Sequence, residues 1–228
     1  MSVVAQGKLI FATHTDSPLS DYLEAVILEA LKPYSIQVEV IKLPGSRVIA
    51  QVNSGRIDGD LARVENFSSI SDIGSSNYLR VNEPIMMSEI VMVTLAESEI
   101  EQQPTWKSIN QGSVAYLRGS KTIRKYLKEH NSFSINDNLQ MLDMVANKRV
   151  DSAVMFGAIA AQILRQSPEL NQQLKIHQPP VMRFHLFTYL HKKHVQLIPK
   201  LEHSLQQLKK SGFIQKAAIK YQVTPPSN

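Results

Sequence analysis

Hydrophobic positions along the chain switch repeatedly between two spacings, and the switches mark its elements. Lys8 to Thr13 (Lys-Leu-Ile-Phe-Ala-Thr) is a short apolar run of β character; Leu23, Val26, Ile27, Ala30 and Leu31 then share one face of a helix that Lys32-Pro33 ends. In the loop between them, His14-Thr15-Asp16-Ser17-Pro18, Ser17 suits a helix cap and Pro18 a first helical position. Ile36 to Ile41 alternates Ile36, Val38 and Val40 with polar neighbours, which predicts a strand, and after Pro44-Gly45-Ser46 the helical spacing returns with Val48, Ile49 and Val52. Val52 to Arg63 reads as the end of that helix at Gly55, a tight connection through Arg56, Ile57 and Asp58, and a short strand Gly59 to Ala62 with Arg63 at its carboxyl end. The order β-α-β-α-β predicts a sheet flanked by helices.

The same unit recurs. Val145-Ala146-Asn147-Lys148-Arg149-Val150-Asp151-Ser152-Ala153-Val154 repeats Val, Arg, a β-branched residue and Asp at a constant offset, so two similar α/β lobes are expected. On that offset Arg63 falls opposite Phe156. Between the copies lie a polar, turn-rich stretch from Asn66 to Asn77, a long strand-like run from Ile85 to Leu95, and an acidic loop from Glu97 to Pro104. The pattern then restarts: strand Ser113 to Leu117, turn Arg118-Gly119, helix Ser120 to His130, strand Phe133 to Ile135, helix Asn138 to Asn147, strand Ser152 to Phe156 and helix Gly157 to Gln166. Phe184 to Leu190 is a second long β run; Leu197 to Leu208 and Phe213 to Tyr221 close the chain as helices around Gly212.

Composition narrows the function classes. With 228 residues, 43% hydrophobic and 20% charged, the chain is large enough for two lobes with separate cores. No apolar run approaches the roughly 20 residues of a membrane span. The absence of cysteine excludes disulfides, thiolate metal sites and cysteine nucleophiles. The net charge of +5 is concentrated in Lys192, Lys193, Lys200, Lys209, Lys210, Lys216 and Lys220, which face one acid, Glu202, and so belongs to the C-terminal helices. A solvated helical face accounts for it, with a docking surface for an acidic partner as the sharper alternative. No aromatic-interleaved basic stripe accompanies these lysines, so no nucleic acid partner is expected.

The order of elements, the two Asp-containing repeats and the two long strands resemble the periplasmic solute-binding proteins of family 3, the receptors related to polar amino-acid uptake. The resemblance covers nearly the whole chain and is carried by Gly55-Arg56-Ile57-Asp58-Gly59-Asp60-Leu61-Ala62-Arg63, by Val114 to Ser120, by Lys148-Arg149-Val150-Asp151-Ser152-Ala153-Val154, and by Tyr189-Leu190-His191-Lys192-Lys193. It implies an α/β, two-lobed periplasmic-binding-protein-like fold of type II, each lobe a sheet flanked by helices and the two joined by crossing strands. Residues 1–94 with 191–228 would form one lobe and 95–190 the other, with hinge strands near 85–97 and 184–191. The implied function is a solute-binding receptor that traps a small organic anion, amino-acid-like or carboxylate, by ligand-induced closure. An ABC transporter permease is the implied partner, with a free-standing sensor as the other role. The implied protein is a periplasmic monomer without cofactor, its signal peptide removed; Val3-Val4-Ala5 resembles the end of a cleavage site. The alternative is a periplasmic dehydratase-like enzyme on the same fold, acting on a cyclic carboxylic acid.

In that family an Arg of the first lobe and backbone amides at a helix start of the second meet the ligand carboxylate. Here those are Arg63 and the stretch Gly119, Ser120 and Lys121, and helix starts attract anions on independent grounds. The chain departs from the amino-acid receptors twice: Asn66 to Ser76 replaces the usual Thr-x-x-x-Arg segment, and Phe156 stands where an acid usually accepts the ligand's ammonium. Both departures favour a carboxylate without the amine, or an aromatic or peptide-like compound.

Each candidate has a plainer alternative. Arg63 as a carboxylate clamp competes with a salt bridge to Asp60 or Glu65, and Phe156 as a stacking platform competes with strand-end packing. His14 and Asp16 sit where cleft contact and capping are both reasonable; Asp58 and Asp151, repeated at equivalent positions, read as turn and capping residues. An enzyme would need a general acid, and Asp60, His14 and Asp16 are the candidates. His191 and His194 lack a third ligand at metal spacing, and Ser113 and Ser120 lack the Gly-x-Ser-x-Gly context of a nucleophile, so neither a metal nor a catalytic residue is assigned.

Overall fold

A computed structural model describes residues 7–14, 18–65, 67, 77–99 and 103–226. The chain divides into two compact units, 1–87 with 184–228, and 88–183. It passes between them inside two long strands, β4 (Tyr78–Leu95) and β9 (Met182–His191). The division therefore falls seven residues earlier on each strand than the expected boundaries of 94 and 190, at 87 and 183.

In the first unit β1 (Leu9–Thr13) is paired in parallel with β2 (Val38–Lys42) and β3 (Gly59–Val64), and β3 is antiparallel to β9. Alternation along β1 sends Leu9 and Phe11 to one face and Ala12 to the other. The first face is covered by α1 (Leu19–Leu31), α8 (Ile198–Lys210) and α9 (Phe213–Tyr221), which bury Leu23, Ile27, Leu201, Leu205 and Ile214 against it. On the second face α2 (Gly45–Asn53) contributes Val48, Ile49 and Val52 to a cluster with Phe67, Tyr78, Phe187 and Tyr189. Arg63 thus lies inside β3, not just past its end.

The second unit orders its strands β4-β7-β5-β6. Its remaining elements are α3 (Trp106–Ile109), β5 (Val114–Leu117), α4 (Lys121–Arg124), β6 (Ser132–Ile135), α5 (Asn138–Ala146), β7 (Ser152–Phe156), α6 (Gly157–Gln166), α7 (Pro168–Gln173) and β8 (Leu174–Ile176). The helix expected over Ser120 to His130 is reduced to the single turn α4. Asn110 accounts for this: its Nδ2 donates to the Tyr126 carbonyl at 2.8 Å and its Oδ1 accepts from the Lys128 amide at 2.7 Å, occupying backbone groups that a continuing helix would pair. Trp106 packs within the unit, stacked on Tyr126 with ring centroids 4.6 Å apart.

The repeat is structural. Carried along the spacing that places Asp58 on Asp151, α2 (Gly45–Asn53) maps onto α5 (Asn138–Ala146) residue for residue. Asp58 Oδ2 accepts from the Ile10 amide at 2.8 Å, pinning β1 to the entry of β3; Asp151 Oδ2 accepts from the Ser113 amide at 2.7 Å, pinning the start of β5 to the entry of β7. Burial pushes the Asp58 carboxyl up, but the Ile10 amide, Lys193 and His194 outweigh it and hold it below 3.8. Asp58→Asn is therefore expected to cost about 1–3 kcal/mol at pH 7. A depressed carboxylate contributes its full stability above the unfolded value and loses it as pH falls through the folded one, so the gap between variant and wild type should start to narrow near pH 3.8 and close only below the lowered folded value. Urea unfolding at pH 7, 4 and 3 measures this; a gap that stayed constant would show that Asp58 acts by shape alone.

The same mapping pairs Gly55 with Lys148, both left-handed, at φ +76° and +57°. A Cβ on Gly55 would come within 3.3 Å of His191 Cε1. Gly55→Ala should cost about 1–2 kcal/mol, whereas Lys148→Gly, which relieves the same backbone strain at an exposed site, should be neutral or stabilising by about 0.5 kcal/mol. Thermal unfolding of the two variants, moving in opposite directions, checks the shared conformation.

Candidate functional site

Three of the residues singled out in the sequence meet in the first unit, at the carboxyl ends of the parallel strands, where open α/β sheets receive ligands. His14 follows β1, Gly45 opens α2 after β2, and Asp60 and Arg63 lie on β3. Strict alternation would put Asp60 and Arg63 on opposite faces. The register shows how they meet: Asp60 faces Tyr189 and Arg63 faces Phe187, so three steps on β3 match two on β9, and the extra residue of this bulge returns Arg63 to the Asp60 face.

Asp60 is wholly buried, and its Oδ2 accepts from Arg63 Nε at 2.6 Å. The guanidinium also donates through Nη2 to the Gly45 carbonyl at 3.3 Å and lies over the Phe67 ring, 5.0 Å from its centroid. Its side chain keeps 11% of its surface exposed, against none for Asp60. The salt bridge to Asp60 is thus formed, and it fixes the direction of the guanidinium fork. Burial pushes the Asp60 carboxyl above its ordinary value, by more than the charge and hydrogen bond of Arg63 and the Ala62 amide bring it back down. Asp60 Oδ1 is buried without a hydrogen-bond partner.

His14 reaches the surface, yet enough protein crowds its ring, with the Arg63 guanidinium close by, to bring its pKa down to about 4. It is neutral at pH 7. Gly45 stands beside both: a Cβ there would lie 3.8 Å from Arg63 Nη1 and 3.9 Å from His14 Cβ. Tyr78 closes the aromatic side, 5.4 Å from Phe67 and 6.0 Å from Tyr189 between ring centroids, with its hydroxyl donating to the Val48 carbonyl at 3.3 Å. Burial and the Asp60 charge raise the Tyr78 pKa, keeping it neutral. Gly45, Phe67 and Tyr78 were not singled out by the sequence; a Gly after Pro44 at a helix start was the only signal available. Asp16 lies outside the described residues.

Gly119, Ser120, Lys121 and Phe156 belong to the second unit, at the ends of the paired parallel strands β5 and β7. Gly119 takes φ +83°, which explains a glycine there. The Ser120 amide donates to the Leu117 carbonyl at 3.1 Å and the Lys121 amide to the Gly119 carbonyl at 2.9 Å, so both are engaged within the turn. Phe156 is half-buried at the junction of β7 and α6.

The two histidines near the end of β9 are tied into the frame. His194 Nε2 lies 2.6 Å from Asp58 Oδ1, and His191 Nδ1 accepts from the Lys193 amide at 3.2 Å. Among the described residues no group of three or more His, Asp or Glu side chains could hold a metal ion, and no helix is long and apolar enough to cross a membrane.

No family model matches the sequence. An uncharacterized protein of Shewanella oneidensis is 24% identical over 204 residues, covering 86% of this chain and 74% of that one. Among solved structures, the GluR0 ligand-binding core in complex with L-glutamate matches with a TM-score of 0.77 at 13% identity, over 96% of this chain and 99% of that one. A mutant of ArgBP from T. maritima matches at 0.70 and 15% identity, over 94% and 95%. A histidine kinase sensor domain with similarity to periplasmic binding proteins matches at 0.70 and 16%, over 97% and 99%. The fold is accordingly the two-lobed, mixed α/β fold of the periplasmic-binding-protein kind.

Proposed function

We propose that the protein is a solute-binding receptor for a small organic anion, with Arg63 as the anchor for the ligand's carboxylate. One observation carries this reading: a guanidinium held from behind by a buried carboxylate, set over the Phe67 ring and left partly exposed at the carboxyl ends of parallel strands. Asp60 and Gly45 engage Nε and Nη2, which orients the fork before any ligand arrives and lowers the ordering cost of binding. A neutral His14 at the rim adds a hydrogen-bonding group without charge. His14, Asp16 and, in the second unit, Gly119, Ser120, Lys121 and Phe156 complete the proposed contacts, with closure of the two units on the ligand as the working motion.

A receptor suits this arrangement better than a dehydratase. Of the three candidate general acids, Asp60 has no exposed surface from which to reach a substrate, His14, brought down to about 4, is not protonated near neutrality, and Asp16 lies outside the described residues. Solved structures of this fold include the substrate-binding protein of an amino acid ABC transporter as well as the sensor domain, which supports delivery to a transporter permease or signalling from the periplasm. Mass spectrometry of small molecules released from purified, denatured protein tests the proposal. An organic acid recovered near one equivalent from wild type and missing from Arg63→Ala is the expected result; an acid retained equally by both would remove Arg63 from the site.

A further inference from the structure

Among the described residues Arg63 is the charged side chain that acts on Asp60, and the two form an ion pair with no second cation to offset a further negative charge. The groups facing Asp60 are Arg63 from β3, Tyr78 from β4 and Tyr189 from β9; His14 at the end of β1 stands by Arg63, and Arg80 and Glu65 lie farther along, paired with each other at 2.8 Å. Tyr78, Tyr189 and His14 are neutral at pH 7, since burial raises both phenols and lowers the imidazole. Among the described residues the site's own charge is therefore one cation and one anion. A ligand carboxylate arriving on the exposed edge of Arg63 would put two carboxylates on one guanidinium, one of them without any solvent access. Two carboxylates sharing one guanidinium, one of them without solvent, favour holding a proton between them.

Asp60 is the carboxylate equipped to take the proton. Its Oδ1 is buried with no partner at hydrogen-bond geometry, the Ala62 amide being the backbone group that acts on the carboxyl, so a proton on Oδ1 leaves the 2.6 Å contact of Oδ2 with Arg63 Nε in place. We propose that the first unit's site binds an organic acid together with one proton, the carboxylate on Arg63 and the proton on Asp60. This rests on Arg63 being the ligand's anchor, and it adds a consequence that anchoring alone does not have. Binding takes up a proton, so affinity falls as pH rises, by up to about tenfold per pH unit between the Asp60 pKa values of the free and bound protein.

Arg63→Gln removes the charge that a ligand would engage and serves as a ligand-free test. Carbon-detected NMR of the aspartate side-chain carboxyls should find Asp60 ionised at pH 7 in wild type and in Arg63→Lys, and protonated in Arg63→Gln. Calorimetry of succinate, benzoate and L-glutamate with wild type at pH 8, in two buffers of different ionisation enthalpy, should show close to one proton taken up for any of them that binds. Asp60→Asn should abolish that uptake and flatten the pH profile. An ionised Asp60 in Arg63→Gln, or a carboxylate bound at pH 8 without proton uptake, overturns the proposal. Failure of the receptor reading looks different: none of the three acids binds at any pH, while Asp60 still gains its proton in Arg63→Gln.

Discussion

Gly59→Ala is expected to destabilise the protein by about 3 kcal/mol or more, because the added methyl group meets packed atoms on two sides. A Cβ at this position would come within 2.5 Å of Phe11 Cε1, 2.7 Å of Phe11 Cδ1 and 2.8 Å of the Tyr189 carbonyl oxygen. The Phe11 ring is fully buried in the main core, and the Tyr189 carbonyl is backbone of the neighbouring strand, so neither can yield cheaply. The second unit shows that strand geometry alone does not demand glycine. Ser152, on β7 at the position equivalent to Gly59, carries a side chain and is itself buried, but its parallel partner is Val114, where Gly59 has Phe11. The two units solve one packing problem with different divisions of volume. Phe11→Val combined with Gly59→Ala should therefore recover part of the loss, leaving the contact with Tyr189. Urea unfolding of the single and double variants decides it; a single-variant cost under about 1 kcal/mol would mean that the strand shifts freely.

Most of the fold was legible because the chain states it twice. The recurrence of Val, Arg and Asp located α2 with β3 and α5 with β7, and the structure gives the repeated Asp residues one job, clamping the first strand of each unit to the third. What escaped was pairing over long separations. The beginning of β4, with Arg80, Asn82, Glu83 and Pro84, is too polar to read as a strand. Its polar groups are satisfied far away: Arg80 by Glu65, Asn82 by Glu202 and Glu83 by Lys209. Helix 120–130 was overextended for the converse reason, since Asn110, distant in sequence, claims its backbone. The candidate site was half legible. Asp60 and Arg63 stood out as charges beside a repeat, but their meeting depends on a bulge that the alternation pattern hides. Phe67 and Tyr78 join through aromatic packing with Tyr189, a partner more than a hundred residues away, and nothing local announces them.

Arg63→Ala should abolish tight binding of the acid recovered from the native protein, at a cost of about 2–5 kcal/mol, because a charge-assisted and preorganised contact is lost. The same change should also loosen the apo protein, because the salt bridge to Asp60 that the sequence offered as the plainer role of Arg63 is formed. Asp60 would be left wholly buried without its cation, and breaking a buried pair by removing one partner is costly. The two losses separate by pH. Without Arg63 the folded Asp60 pKa rises further above 3.8, so the stability penalty grows as pH climbs from the unfolded value through the folded one, and is smallest under acidic conditions where Asp60 is protonated in both states. The binding loss has no such relief, since protonating Asp60 does not restore a guanidinium. Arg63→Lys should recover most of the stability but only part of the binding, because an ammonium supplies charge without the planar fork that Asp60 and Gly45 orient. Calorimetry and urea unfolding on both variants at pH 5 and pH 8 read the four quantities. If Arg63→Ala is destabilised as described yet binds the acid as wild type does, Arg63 is the structural partner of Asp60 and the ligand's anchor lies elsewhere.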